Sequence, residues 1–150
     1  MARAATAVVA PAPGQLKQMA TFLGLRSLTS DAELVGLVER RLPLHTLDAL
    51  RTAGITDDEL FALVLPRRTL THRRSRKEPL SHDESDRVVR LARIAALGEA
   101  VFGDRDKAWR WLRAAKRQLQ GRTPLALVAT ETGARIVEEW LYRIDDGLAA

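Results

Sequence analysis

A hydroxyl, an imidazole and a carboxylate stand side by side in the sequence Ser81-His82-Asp83. They are the residue types of a hydrolytic triad, but a triad needs adjacency in space, and neighbours in sequence cannot converge on one substrate atom. Ser81 also lies three residues before Glu84, which is the spacing of a capping box at the start of a helix. The sequence therefore predicts a helix cap here and not a nucleophile.

Two pairs of carboxylates, Asp57-Asp58 and Asp145-Asp146, are the other candidates for acid–base chemistry. Both pairs fall at predicted helix ends, where solvated or capping carboxylates are common. The chain has none of the HExxH, GxxxxGK[S/T] or GxGxxG motifs that hold zinc, phosphates or dinucleotides. It also has no cysteine, which excludes disulfides and thiolate metal sites. We expect no enzyme, no metal site and no cofactor.

The strongest local signal is cationic, because residues 66–77 carry six lysines and arginines in twelve positions. A short capped segment, residues 57–64, precedes them and ends in a tight turn at Leu65-Pro66. A short helix, a turn and a second helix rich in Arg, Thr and His are typical of a helix-turn-helix DNA-binding unit. The predicted DNA-binding residues are Arg67, Arg68, Thr69, Thr71, His72, Arg73, Arg74, Ser75, Arg76 and Lys77.

Helical geometry divides these residues into two roles, since successive side chains are about 100° apart around a helix axis. Leu70 is expected to point toward the core and to anchor the helix. The side opposite Leu70 would face a DNA groove and read bases, and it holds Arg68, Thr71, His72 and Ser75, with Thr69 and Arg76 beside them. The residues on the flanks are better placed for phosphates, and they are Arg67, Arg73, Arg74 and Lys77.

Helices must position these residues, because strand signals are nearly absent and helix caps recur. Ser30, Thr56 and Ser81 each stand three residues before a glutamate, and Thr123-Pro124 places a proline at the first position of a helix. The sequence predicts an all-α fold with helices near residues 15–23, 31–41, 43–52, 57–64, 66–76, 82–102, 105–118, 124–130 and 133–146.

Charge distribution suggests two functional halves with different partners. Residues 1–80 carry 12 Lys/Arg against 8 Asp/Glu, whereas residues 131–150 carry 2 against 5. We expect a disordered leader over 1–13, a helix-turn-helix domain over 14–80 and a helical dimerisation and partner-binding domain over 81–150. No apolar run approaches the ~20 residues of a membrane span, so we expect no membrane partner, and the lack of cysteine fits the cytoplasm.

The two longest predicted helices of the second half differ in how much of their surface is apolar. The helix at 82–102 is apolar on more than one face, so we expect it to be buried within the domain or in a dimer. We predict a homodimer whose seam includes Val88, Leu91 and Ala95, since helix-turn-helix repressors usually bind two half-sites. The helix at 133–146 has one apolar stripe, formed by Ile136, Val137, Trp140, Leu141 and Ile144.

From about residue 54 onward the chain resembles antitoxins of the Xre/MbcA/ParS type, which pair with RES-domain toxins. The matching segments are, in order, Arg68-Thr69-Leu70 with Arg73-Arg74, Leu80-Ser81 with Glu84-Ser85-Asp86-Arg87-Val88, Val101-Phe102-Gly103-Asp104, Lys107-Ala108, Trp111-Leu112, Gly121-Arg122-Thr123-Pro124-Leu125, Thr130-Glu131, Gly133-Ala134, Val137-Glu138, Leu141, Arg143-Ile144 and Gly147. The chain departs from the family pattern in two places. Ala115-Lys116 replace a usual Pro-Asn, which predicts a longer helix before them, and Val64-Leu65-Pro66 replace a turn that usually carries glycine.

The resemblance implies an Xre/Cro-like helix-turn-helix followed by a helical toxin-binding domain. It also implies that the partner toxin degrades NAD, that the C-terminal domain covers the toxin's active-site mouth, and that the N-terminal domain represses the operon's own promoter. Toxin and antitoxin would form a larger hetero-oligomer. The predicted toxin-binding residues are Glu138, Trp140, Leu141, Tyr142, Arg143, Asp145, Asp146, Gly147 and Leu148. For Trp140 a place in the core stays an open alternative, whereas Tyr142, on the polar side, is expected to contact the partner.

Two other functions remain possible on the residues alone. The first is a stand-alone helix-turn-helix transcription regulator with a helical dimerisation or ligand domain. The second is a helical adaptor whose cationic helix is only a solvated face. A toxin-sized reading frame beside this one would favour the antitoxin, whereas an isolated gene would favour the regulator.

Overall fold

The computed structural model describes residue 11 and residues 13–147, and within them the chain is helical and contains no strand. The nine α-helices of this part are α1 (Pro13–Leu23), α2 (Asp31–Glu39), α3 (Thr46–Thr52), α4 (Asp57–Leu63), α5 (Arg67–Arg76), α6 (His82–Phe102), α7 (Arg105–Arg113), α8 (Pro124–Leu127) and α9 (Glu131–Asp145). The all-α prediction is confirmed. Most of the predicted leader, residues 1–10 and 12, lies outside the described residues.

The capping motifs that defined the helix starts form as predicted in two of three cases. Thr56 with Glu59 and Ser81 with Glu84 are complete capping boxes, in which each side chain accepts a hydrogen bond from the other's backbone N–H. Ser30 caps α2, but the Glu33 carboxylate accepts from the backbone N–H of Thr29 and not from that of Ser30. Hydrogen bonds between side chains and backbone groups that are close in the sequence therefore determine where most helices begin.

The longest helix, α6, is the centre of the fold, and α1, α2, α7 and α9 pack around it. Val88, Leu91 and Ala95, predicted as a dimer seam, are at most 1% exposed in the single chain. That prediction is wrong, because both apolar faces of α6 are already covered by helices of the same chain. Burial within the domain was the alternative that the sequence left open.

The two halves of the chain share one hydrophobic core, which runs from Leu16 in α1 to Leu141 in α9. The segment between the halves is held in place at Leu80, which is fully buried. Its N–H donates to the carbonyl of Leu42 at 2.9 Å, and its carbonyl accepts from Nε of Arg41 at 2.8 Å. Packing therefore does not separate the chain at residue 80, and the predicted domain boundary there stays a prediction.

Three helices of the second half differ from their predicted bounds, and the first of them, α8, ends at Leu127 and not at residue 130. α7 was expected to continue to residue 118, but it ends at Arg113. The chain then closes a turn in which the N–H of Lys116 donates to the carbonyl of Arg122 at 2.9 Å. α9 begins at residue 131, because the Thr130 hydroxyl caps its first turn by accepting from the N–H of Gly133.

Within the described residues, no helix combines the length and apolar character that crossing a membrane requires.

Candidate DNA-binding and partner-binding surfaces

The predicted helix-turn-helix unit is formed by α4, the turn Val64-Leu65-Pro66 and α5. Val64 and Leu65 are buried, as is Leu70, the one residue of α5 that is buried. Val64 has φ −110°, so the turn needs no left-handed residue and the usual glycine can be replaced without strain. Leu70 anchors α5 as predicted, and every other side chain of this helix is at least partly accessible.

Arg73 is the cation of α5 that is committed to the fold. Its Nε donates to one carboxylate oxygen of Glu84 at 2.7 Å and its Nη2 to the other at 3.0 Å, while Nη1 lies 3.4 Å from Glu78. The Arg73 side chain is 17% exposed. This corrects the prediction that Arg73 contacts phosphates, because its guanidinium already has bidentate partners within the chain.

The other cations in α5 and at its C-cap are exposed around the helix, and we call this cationic surface the cationic face: Arg67, Arg68, Arg74, Arg76 and Lys77. Arg67 stacks over the ring of Phe61 at 4.4 Å, which restrains it at the start of the helix. Lys77 closes α5 in a left-handed conformation with φ 54°. The structure thus leaves five positive charges of α5 on the surface.

The uncharged residues predicted to read bases lie on the same helix. Thr71 and His72 are exposed together with Ser75, whereas Thr69 is half-buried. The Thr71 hydroxyl donates to the carbonyl of Arg67 at 3.1 Å, and the Ser75 hydroxyl donates to that of His72 at 2.8 Å. These two hydroxyl protons are therefore in use, which leaves acceptor lone pairs and the Thr71 methyl group for a ligand.

A clamp of hydrogen bonds ties the second half of the chain to the start of α4. Arg113 of α7 donates to both carboxylate oxygens of Glu59, at 2.6 and 3.0 Å, and to the carbonyl of Gly54 at 2.8 Å. Burial on its own raises the pKa of Glu59, but the hydrogen bonds from Arg113 and Thr56 outweigh it and hold the pKa below its usual range. Sequence patterns could not predict this contact, since its partners are 54 residues apart.

In the second half, α9 is held chiefly by apolar packing. Ala134, Val137 and Leu141 are buried against the rest of the core. Gly133 lies so close to α8 that a Cβ there would overlap the carbonyl oxygen of Leu127. Leu141, predicted as a toxin contact, is fully buried. That prediction is wrong, because the side chain has no surface to offer a partner.

One apolar strip of α9 is left outside the core, and we call Ile136, Trp140 and Ile144 the α9 ridge. Their spacing of four residues places them along one side of the helix. Ile136 is 39% exposed, and Trp140 and Ile144 are half-buried without joining the side chains that pack against the core. Sequence reasoning missed Ile136 and Ile144 as surface residues, because the spacing of a stripe does not show how much of it is covered.

Tyr142, predicted as a partner contact, is only partly accessible, and its role stays a prediction. Its ring packs against the hydrophobic core, although part of it stays accessible. Burial, together with the nearby charge of Glu138, raises the pKa of the Tyr142 hydroxyl. Of the two aromatic residues considered from the sequence, Trp140 is therefore the one that the structure leaves outside the core.

Charged residues surround the α9 ridge. Arg143 donates to Glu139 at 2.5 Å, and Glu138 lies 3.7 Å from Nε of Arg93 on α6. Asp145, Asp146 and Gly147 are exposed at the end of the helix. Leu148, also predicted to bind the toxin, lies outside the described residues. The predicted set is thus divided between the half-buried ridge residue Trp140, a charged rim, the buried Leu141, and Tyr142, which packs against the core but stays partly accessible.

The geometry of these two surfaces suits the binding of macromolecules. In the part of the chain that the structure describes, no group of three or more His, Asp or Glu side chains is arranged to hold a metal ion. A helix-turn-helix unit with a cationic face, joined through a shared core to a helical domain with an uncovered apolar ridge, defines a DNA-binding protein that also has a protein partner.

Comparisons with known proteins support a DNA-binding protein that has a protein partner, and they identify its family. Residues 33–93 match the family model of the antitoxin Xre-like helix-turn-helix domain, and residues 97–147 match that of the antitoxin Xre/MbcA/ParS C-terminal toxin-binding domain. The chain is 36% identical to an antitoxin Xre of Pseudomonas putida, over 87% of this chain and 82% of that protein. It is 30% identical to an antitoxin Xre of Yersinia enterocolitica, over 77% and 80%.

The chain therefore belongs to the Xre/MbcA/ParS family of antitoxins, which confirms the resemblance found in the sequence. It is a non-enzymatic antitoxin with an N-terminal helix-turn-helix domain and a C-terminal toxin-binding domain. The two family matches meet inside α6, at residues 93 and 97. The α9 ridge lies within the toxin-binding match, and the cationic face lies within the helix-turn-helix match.

Proposed function

We propose that this antitoxin neutralises a RES-domain toxin that degrades NAD, by covering the mouth of the toxin's active site with α9. We also propose that α5 binds the promoter of the protein's own operon and represses it. The observation that carries the proposal is the presence of two separate uncovered surfaces, the cationic face of α5 and the α9 ridge. Each has the chemistry of one partner, phosphates for the first and a protein surface for the second.

The α9 ridge supports the toxin half of the proposal because it offers a partner an aromatic anchor inside a charged rim. Trp140 is the residue type that most often dominates protein interfaces, and it is neither fully buried nor packed against the core. The exposed carboxylates Asp145 and Asp146 would complement a basic pocket that binds the phosphates of a dinucleotide.

The cationic face supports the DNA half of the proposal. Five exposed cations on one short helix supply the salt-dependent attraction to phosphates that precedes any reading of bases. Helix-turn-helix repressors act as dimers on half-sites one DNA turn apart, so we propose a homodimer and a larger complex with toxin. The dimer would form through a surface other than the buried faces of α6. Binding to genomic DNA would place the protein in the cytoplasm.

Co-expression with the toxin from the adjoining reading frame tests the proposal. The toxin alone should stop growth and deplete NAD, and adding this chain should restore both. Truncating α9 would remove core residues, so point variants are needed. The double variant Ile136→Glu/Trp140→Glu should fail to rescue growth while still shifting promoter DNA.

The matched control is Arg68→Ala/Arg74→Ala, which should rescue growth but no longer shift promoter DNA. Both pairs of residues lie outside the core, so both variants should unfold at nearly the wild-type temperature. Rescue by the α9 double variant would refute the role of the ridge. Growth arrest without a fall in NAD would refute the assignment of the partner, and an isolated gene would favour a stand-alone regulator.

A further inference from the structure

Glu84 in the first turn of α6 is a buried acidic residue in contact with the helix that is proposed to read DNA. The residue is 6% exposed, and its two carboxylate oxygens accept from Nε and Nη2 of Arg73. The same carboxylate accepts from the N–H of Ser81 at 2.7 Å in the capping box of α6. One carboxylate therefore joins the start of the central helix to the middle of α5.

This ion pair matters for the orientation of α5 because few contacts hold the middle of that helix. The chain is attached on either side of α5, by the stacking of Arg67 on Phe61 and by the buried Leu80, but within the helix Leu70 is the one residue that is buried. Arg73 lies three residues later on a neighbouring side, so Leu70 and Arg73 together give α5 two fixed points. A bidentate guanidinium–carboxylate pair also fixes direction, because both hydrogen bonds must be aligned.

The surroundings of Glu84 make this pair a rigid one. The next residue, Ser85, is fully buried, and its hydroxyl accepts from the N–H of Leu42 at 2.9 Å. Burial on its own raises the pKa of Glu84, but the hydrogen bonds from Arg73 and Ser81 outweigh it, so the pKa lies below its usual range. Glu84 is thus charged at neutral pH and is attached to the core on its own side.

We propose that Glu84 is a positioning residue for operator recognition: by holding Arg73 it fixes the rotation of α5, and with it which side chains meet the base edges. The inference rests on the proposed DNA-binding function of α5. It has an unusual consequence, since removing this negative charge should improve general attraction to DNA while harming discrimination. Arg73, left with the more exposed Glu78 as its remaining carboxylate partner, would become available as an additional phosphate-binding group.

Glu84→Gln is the variant that separates these effects. Glutamine keeps the capping box, because its side-chain oxygen still accepts from the N–H of Ser81. Glutamine cannot offer Arg73 two charged oxygens, so the bidentate pair with Arg73 is lost. The ratio of operator affinity to random-DNA affinity should fall about tenfold, while random-DNA affinity rises a few-fold and the salt dependence steepens by about one phosphate contact.

Two further variants serve as controls. Arg74→Gln, next to Arg73 but exposed, should weaken binding to operator and random DNA alike and reduce the salt dependence by about one contact. The double variant Arg73→Gln/Glu84→Gln should lose discrimination as Glu84→Gln does, but without a steeper salt dependence, because no cation is released. Both affinities would be measured by fluorescence anisotropy over a salt series, with circular dichroism reporting the folded fraction.

Unchanged discrimination in Glu84→Gln would overturn the inference. So would an equal loss of both affinities together with a lower unfolding temperature, which would assign Glu84 a purely structural role. Toxin binding should be retained in Glu84→Gln, and this checks that the rest of the fold is intact. A wild-type protein without affinity for its own promoter would instead refute the proposed DNA-binding function, and the inference with it.

Discussion

The two helices that carry the proposed binding surfaces, α5 and α9, are held to the same core in different ways. In α5 a single leucine is buried, and the ion pair of Arg73 with Glu84 supplies the second attachment. In α9 four residues are buried, and a glycine allows its backbone to touch that of α8. A helix that binds phosphates needs polar side chains over most of its surface, so few apolar residues are left to attach it to the core. A helix that binds protein can pack one side against the core and offer another apolar side to the partner.

The difference predicts that α5 is sensitive to changes of charge and α9 to changes of shape. Substitutions that alter volume should therefore damage toxin binding first, and substitutions that alter charge should damage DNA binding first. The four predictions below test this contrast in order of expected effect.

The largest effect is expected for Gly133→Ala. The added Cβ would overlap the carbonyl oxygen of Leu127 and lie 2.8 Å from its carbon, so α9 must move away from α8. We expect a loss of about 3 kcal/mol in the free energy of unfolding, together with weaker toxin binding. Chemical unfolding followed by circular dichroism measures the first. Thr132→Ala, an exposed neighbour, is the control, and equal stability of the two variants would contradict the close packing of α8 and α9.

Trp140→Ala should weaken toxin binding without a comparable loss of fold stability. Truncating a central aromatic anchor of an interface costs about 2 kcal/mol, which is roughly a 30-fold loss of affinity. Tyr142→Phe is the control, because it removes a hydroxyl from a ring that packs on the core and should change affinity little. Isothermal titration calorimetry with purified toxin measures both affinities. A larger loss of affinity for Tyr142→Phe would instead support the prediction from sequence that Tyr142 contacts the toxin.

Within α5, Arg68→Ala and Lys77→Ala should differ in kind. Arg68 lies on the side opposite Leu70, so its loss should cost 1–3 kcal/mol on operator DNA, by order of magnitude, and less on random DNA. Lys77 lies at the end of the helix and should contribute equally to both. Gel shifts with the two DNAs at one salt concentration measure the difference. Equal losses from both variants on both DNAs would remove the base-reading role of Arg68.

Acid should weaken the polar attachments before the apolar ones. The pKa values of Glu59 and Glu84 in the folded chain lie below their ordinary value of 4.5. The stability that each carboxylate contributes is therefore complete above about pH 4.5 and is lost as the pH falls through the lower, folded value. The unfolding temperature should fall below pH 4.5, and it should fall less steeply in Glu84→Gln. An identical pH profile for both proteins would show that the ion pair adds no stability.

Local hydrogen bonding explains how much of the fold could be predicted from sequence. Thr56, Ser81 and Thr123 act on residues three positions ahead, so the starts of their helices are encoded locally. Apolar periodicity likewise identified α6 as a buried helix. The extension of α7 to residue 118 was wrong, because the hydrogen bond that closes the turn from Lys116 to Arg122 is absent from any single-helix pattern.

The roles of individual side chains were harder to predict, since they depend on contacts between distant residues. Arg73 and Arg74 are neighbours of one type, yet the first is bound to Glu84 and the second is exposed. Trp140 and Leu141 are adjacent on an apolar stripe, yet only the leucine is fully buried. Periodicity gives the side of a helix, whereas the neighbouring helix decides which part of that side is covered.

The sharing of α6 between the two family matches limits how such antitoxins can exchange parts. A recombination event could join the DNA-binding half of one member to the toxin-binding half of another. The joint would fall inside α6, whose residues pack against helices of both halves. Leu91 and Ala92 lie in the first match and Leu97 lies in the second, and all three are buried in one core. A hybrid would therefore need matching core residues on both sides of the joint, so that promoter specificity and toxin specificity should be inherited together.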